Sequence, residues 1–346
     1  MTDPTPPMSH RLFIERLVIA IAIAGVALLL WRLRDLLLLV FGAVLVAVIL
    51  TVIARPFRER LRLPSALALA LAVLILLALF GVAFWMFGAE VIGQSAALQE
   101  SIPRAWQTLL QRLEPLGLAQ PLRDLAETSG GVVSRIGGVA MSVGSGLADT
   151  LLVLIGGIYF AAQPDFYRRG VLKLVPKRGR GLAADAIDDS GKALRLWLFG
   201  RIISMAIVGL LTGIGLWLLG VPAALTLGLV AAILEFIPFL GPLLAAIPAL
   251  LLAVATDPAL ALWVAGLYLL IQQIEGNVVE PLVQQRAVSL PPVLLVFGLV
   301  SATLIFGAAG IILGAPLTVV LFVLVKRLYI REALDTPSPI PGEDQT

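Results

Sequence analysis

Residues 202–234 and 236–256 contain no charged side chain, and the acid between them, Glu235, opens the octapeptide EFIPFLGP. No other stretch constrains the fold as strongly. A run this apolar belongs in hydrocarbon, where every backbone N–H and C=O must be paired within the chain. An α-helix meets that demand by itself. Pro238, Gly241 and Pro242 interrupt it at depth. A break of this kind is tolerated only where protein or a wet cavity takes up the freed backbone groups.

The rest of the chain follows the same pattern. Of 346 residues, 60% are hydrophobic and 14% charged, too apolar for a water-soluble surface. Apolar windows at 17–31, 36–54, 63–89, 150–164, 202–219, 223–255, 258–274 and 287–325, uncharged except for Glu235, predict an all-α polytopic membrane protein. That makes about eight transmembrane segments, two of them long and broken. The second broken segment is interrupted at FGAAGIILGAP, residues 306–316. Residues 90–146 show apolar positions at three- and four-residue spacing and predict an amphipathic helical insertion. Residues 1–11 and 329–346 are rich in proline and polar residues and are expected to be disordered tails. The N-terminus lacks the pattern of a cleaved leader, so the first apolar window is expected to remain as a span.

Lys and Arg set the orientation. Residues 55–62 carry four arginines, residues 165–201 carry nine basic residues, and Lys326, Arg327 and Arg331 follow the last window. Placing both termini in the cytoplasm puts all three groups inside. Residues 12–164 then form one set of spans with 90–146 outside, 165–201 is a basic cytoplasmic segment, and 202–328 is a second unit.

That second unit repeats. GLVAAILEF (228–236) and GLVSATLIF (298–306) are identical at six of nine positions. Pro222 and Pro292 precede them, and Pro248 and Pro316 follow. If each broken segment is a helical hairpin that enters the membrane and returns, the two units have opposite orientation. Inverted repeats with discontinuous helices are characteristic of secondary transporters, with the solute bound near the breaks. If both segments cross twice instead, the termini keep the same side, so charge counting does not separate the two readings.

The run 196–249, LWLFGRIISMAIVGLLTGIGLWLLGVPAALTLGLVAAILEFIPFLGPLLAAIPA, and the run 272–321 that follows it resemble the bacterial autoinducer-2 exporter family. The matching pieces are the Gly-Val-Pro turn, Ile-Pro-x-x-Gly-Pro at 237–242, Glu-x-Asn-x-x-Glu-Pro at 275–281, Leu-Pro-Pro at 290–292 and Gly-Ala-Pro at 314–316. Arg201 departs from the family, which often has a neutral polar residue there. The resemblance implies a multi-pass protein of the bacterial cytoplasmic membrane that forms a homo-oligomer. It implies export of autoinducer-2 or a related solute, or sodium/proton antiport. A membrane scaffold without transport is the third reading.

Ionisable groups at membrane depth default to functional candidates. Glu235 sits at the first break, where it can bind a cation or proton, or accept hydrogen bonds from freed N–H groups. Glu275, Asn277 and Glu280 follow the 258–274 window and can ligand a solute or cap a helix end. Gly241, Gly307 and Gly310 would let the two breaks approach a solute closely, beside Pro238 and Pro242. Asp257, before Pro258, reads as a helix N-cap, and Asp149 as interfacial. The chain has no cysteine and one histidine, His10, in the N-terminal tail. Thiolate or histidine metal sites and histidine-based catalysis are therefore excluded, and no P-loop or G-x-S-x-G is present. The expectation is a non-enzyme with no cofactor, acting on a small solute or ion in a lipid bilayer, with no nucleic-acid partner. Displacement of 202–325 against 12–164 is the expected motion.

Overall fold

The computed structural model describes residues 28–82, 147–279 and 290–332, with scattered positions outside these blocks. The amphipathic stretch 90–146, most of the first window, both tail ends and Glu280 lie outside the described residues.

Every regular element among the described residues is helical. In chain order they are α1 (Arg34–Glu59), α2 (Ser65–Val82), α3 (Leu147–Ala162), α4 (Pro164–Leu174), α5 (Arg180–Leu218), α6 (Ala224–Leu234), α7 (Leu240–Thr256), α8 (Pro258–Ile274), α9 (Pro292–Phe306) and α10 (Ala308–Val325). Among the described residues, five helices are long and apolar enough to cross a membrane: α1, α2, α5 with its preceding turn, and α8 and α10 with the turns that continue them. Helices α3, α6, α7 and α9 are apolar but shorter. Many large side chains point outward, among them Leu210, Trp217, Leu262, Trp263 and Leu304. A surface of that kind suits lipid and not water.

Small residues allow the helices to approach. On α5, Gly209 and Gly213 meet Gly228 and Ala232 of α6. A Cβ added at Gly228 would stand 2.6 Å from the Cα of Gly213 and 2.8 Å from the Gly209 carbonyl oxygen. On α3, Gly157 faces Val46 and the Ala43 carbonyl of α1. In lipid there is little hydrophobic drive between helices, so this close packing carries much of the association.

The packing forms two blocks. Helices α1, α2 and α3 share a core of Leu50, Ala54, Ala68, Ala72 and Leu76. Helices α5 to α8 close around Leu216, Val221, Leu227, Ala249, Ala253 and Val264. Helices α9 and α10 pair with one another, and α10 lies along α5. The blocks join mainly through α1, which touches α5, α9 and α10. Leu45, Leu194 and Leu198 form that junction, with Leu313 and Val320 against them.

Turn chemistry explains the ends. α5 stops where Gly220 takes φ +72 and Val221 N–H donates to the Leu216 carbonyl. That is the glycine C-cap of a Schellman turn. Asp257 caps α8: its side chain accepts from Ala259 N–H at 2.9 Å, and Pro258 follows at the first helical position. Its role as an N-cap, read from Asp-Pro, is the one seen.

Two stretches are more regular than their composition suggested. The basic segment 165–201 is helical nearly throughout, and most of it belongs to the same 39-residue helix that continues into the apolar run. Several of its charges are paired. Arg168 donates to both carboxylate oxygens of Asp188 at 2.9 and 2.6 Å. That contact holds the Arg168 guanidinium above its ordinary pKa. Arg327 donates to Asp185 at 2.6 Å, tying the end of the last helix to α5. Helical structure also persists to Arg331, just inside the stretch read as a tail.

Candidate functional site

α6 has eleven residues and rises about 17 Å, roughly half the ~30 Å hydrocarbon thickness. It ends at Leu234, and Glu235 follows directly as its C-cap residue. The chain turns through 235–239 before α7 begins, with Phe236 N–H donating to Ile233 and Ile237 N–H to Leu234. Phe239 takes φ +65, a left-handed value that a non-glycine residue rarely adopts. Pro238 is buried in the turn, and its carbonyl accepts from Leu240 N–H at 2.8 Å. Pro242 lies in the first turn of α7, where a missing N–H costs no helical hydrogen bond.

Glu235 is completely buried. Two other charged groups converge on it. Arg201, on α5, brings Nη2 to 2.8 Å from Glu235 Oε1. Its Nη1 lies 3.5 Å from Glu275 Oε1. Glu275 opens a five-residue π-helical turn, Glu275–Val279, directly after α8. A π turn widens the helix and shifts side chains about its axis, and such turns recur at functional sites. Gln272 steadies Glu275 by donating from Nε2 to Oε2 at 2.8 Å. One guanidinium thus bridges two carboxylates, the three charged groups coming from three separate elements.

The bridge is not saturated. At 2.8 Å the charges of Arg201 and Glu235 touch as an ion pair. Beyond that ion pair, neither oxygen of Glu235, and neither Nε nor Nη2 of Arg201, has a hydrogen-bond partner among the described residues. Buried groups in that state are uncommon, because each lost hydrogen bond costs about 1–3 kcal/mol. Removing one member of a buried ion pair costs more, about 3–5 kcal/mol, because a lone charge is left behind. Beside Glu235 in sequence, Phe236 meets Trp197 edge-on with ring centroids 5.9 Å apart.

The structure brings Glu235 and Glu275 together and adds Arg201. Asn277 is exposed and turned back on its own helix, donating to the Gln273 carbonyl and to Gln273 Oε1, both at 2.9 Å. Gly241 is buried against the Leu234 carbonyl, and Gly310 against the Ala302 carbonyl. Each glycine therefore draws the two helices around its break together. Gly307 is exposed, takes φ +63 and forms the joint between α9 and α10. It is not brought to the charged group.

Arg201 is the residue that motif reading left out of the site. The available signal was an arginine at the start of an apolar run that holds one acid. A lone charge at that depth requires a partner.

A family model described as AI-2E family transporter matches residues 17–330. TqsA, an AI-2 transport protein of Escherichia coli (strain K12), is 24% identical over 82% of this chain and 84% of its own length. YrrI of Bacillus subtilis (strain 168) is 30% identical over 52% of this chain, and YueF of the same organism is 28% identical over 60%. The chain spans about half the length of these two Bacillus relatives, 50% and 55%.

Proposed function

We propose, on the premise that this chain belongs to the AI-2E transporter family, that it is a secondary transporter exporting a small polar solute across the bacterial cytoplasmic membrane by alternating access. The Arg201–Glu235–Glu275 group is its polar centre. The observation that carries this reading is a fully buried carboxylate at a helix break, bridged by an arginine yet without other hydrogen-bond partners among the described residues. Arg201 Nε is an unused donor and Glu235 Oε2 an unused acceptor. A hydroxyl-bearing solute supplies the complement of both. The name of TqsA gives AI-2 as that protein's cargo; a small polar metabolite of that kind is the class proposed for this chain.

Further elements of the reading rest on the pattern of the chain. α6 with α7, and α9 with α10, are taken as two re-entrant hairpins of an inverted repeat, with both termini cytoplasmic. Helices α5 to α10 are the moving unit, and α1 to α3 the scaffold and oligomer contact. The junction through α1 is where the two would slide.

The test is flux. Purified protein in liposomes should move a member of a small polar-solute panel. Glu235→Gln should abolish that flux while the protein stays folded. Full flux in the variant removes Glu235 from the mechanism. No flux of any panel member by well-folded wild-type protein counts against the transport reading as a whole.

A further inference from the structure

Glu235 and Glu275 come from different elements and approach one another in a buried setting. Two carboxylates in such a place repel, and they stay ionised only if a cation lies between them. In this chain the cation is Arg201, covalently part of α5. Its guanidinium reaches Glu235 with one terminal nitrogen and Glu275 with the other. Its side chain is 13% exposed, so it is itself held in the interior.

We propose that Arg201 is a tethered counter-ion that fills the place of an alkali cation between Glu235 and Glu275, and so makes the site independent of sodium. This rests on the group being the polar centre described above, but not on any particular cargo. The reasoning is one of charge and donors. A sodium ion would contribute one positive charge and require several oxygen ligands. The guanidinium contributes the same charge, carries five N–H donors in a plane and cannot be deprotonated. Once it is in place, a second cation gains little from the pair. Remove it, and two buried carboxylates with the oxygens of Glu235 unpaired should recruit one. A second observation supports it: apart from the ion pair with Arg201, the Glu235 oxygens accept no hydrogen bond among the described residues, so they are placed to ligand a small cation once the guanidinium is gone.

The experiment is thermal unfolding of full-length protein in detergent, in sodium chloride, lithium chloride or choline chloride at equal ionic strength. Wild type should melt at one temperature in all three. Arg201→Gln should melt lower in choline and recover with sodium or lithium in a saturable way, by on the order of a few degrees at concentrations well above the dissociation constant. Adding Glu235→Gln to Arg201→Gln should remove that response. Arg201→Lys, which keeps a tethered cation, should remain indifferent to sodium. A folded Arg201→Gln protein that ignores both alkali ions overturns the proposal. If Arg201→Gln cannot be purified, binding of radioactive sodium to wild type decides. Saturable binding lost in Glu235→Gln overturns the proposal, and its absence in both wild type and Arg201→Lys sustains it. None of these measurements needs flux. A protein that moves no solute yet shows this pattern fails the transport reading alone.

Discussion

Gly228 sets the distance between α5 and α6, and Gly228→Ala puts that distance to a test that reaches the site. The new methyl would lie 2.6 Å from Gly213 Cα and 2.8 Å from both the Gly209 carbonyl oxygen and the Gly213 nitrogen. Carbon atoms rest at about 3.5–4.0 Å. The obstacle is backbone, so no rotamer change relieves it, and α6 must retreat by about 1 Å. Overpacking of this kind costs about 1–3 kcal/mol, here at the upper end. Alanine returns about 1 kcal/mol of helix propensity. The net loss is about 2 kcal/mol, on the order of 3 °C in melting temperature for a chain of this length. The retreat also carries Glu235 away from Arg201, so flux should fall along with stability. Gly266→Ala is the control: no atom of the described residues lies within 4 Å of its Cβ position, on the middle of α8. There the propensity gain acts alone, and the melting temperature should hold or rise. Unfolding followed by fluorescence of the six tryptophans reads both variants. A Gly228→Ala protein as stable as Gly266→Ala would refute the close contact of α5 with α6.

Asp257→Ala should cost about 1 kcal/mol by removing the cap on Ala259 N–H; Asp257→Asn and Asp257→Ser should recover most of it, and equal melting of all four proteins would dismiss the cap. Single cysteines at Gly179 and Gln111, introduced into a chain that has none, should react with a membrane-impermeant maleimide from opposite sides. Reaction from one side would undo the proposed orientation and the inversion of the repeat.

Much of this architecture is written locally. The break at EFIPFLGP lies where Pro238 and Gly241 stand, the stop of α5 where Gly220 stands, and the start of α8 where Asp257 precedes Pro258. These are short-range effects of a missing N–H, a positive φ and a capping oxygen, and neighbouring residues suffice to reveal them. The charged group is different. Arg201 lies far along the chain from Glu235 and farther from Glu275, and only the packing of α5 on α6 and α8 brings them together. Charge counting assigned Arg201 to a basic cytoplasmic segment because it follows several exposed basic residues. Its burial depends on which face of α5 it occupies. The roles expected of Gly241 and Gly310 were limited in the same way. Their freedom was legible, but the carbonyls they rest against belong to the other half of each helix pair.

The uninterrupted length of α5 has a mechanical consequence. Its 39 residues extend about 58 Å, roughly twice the hydrocarbon thickness. It contains no proline, so it offers no proline hinge between its polar stem and its apolar half. Any rise of Arg201 along the membrane normal is then reproduced, step for step, by Asp185 and Asp188 in the stem. A one-turn advance of the buried end would carry the stem by about 5.4 Å. The stem therefore acts as a dial needle for the buried end. Paired labels on the stem and on the C-terminal end of α1 would track the position of the interior without touching the site itself.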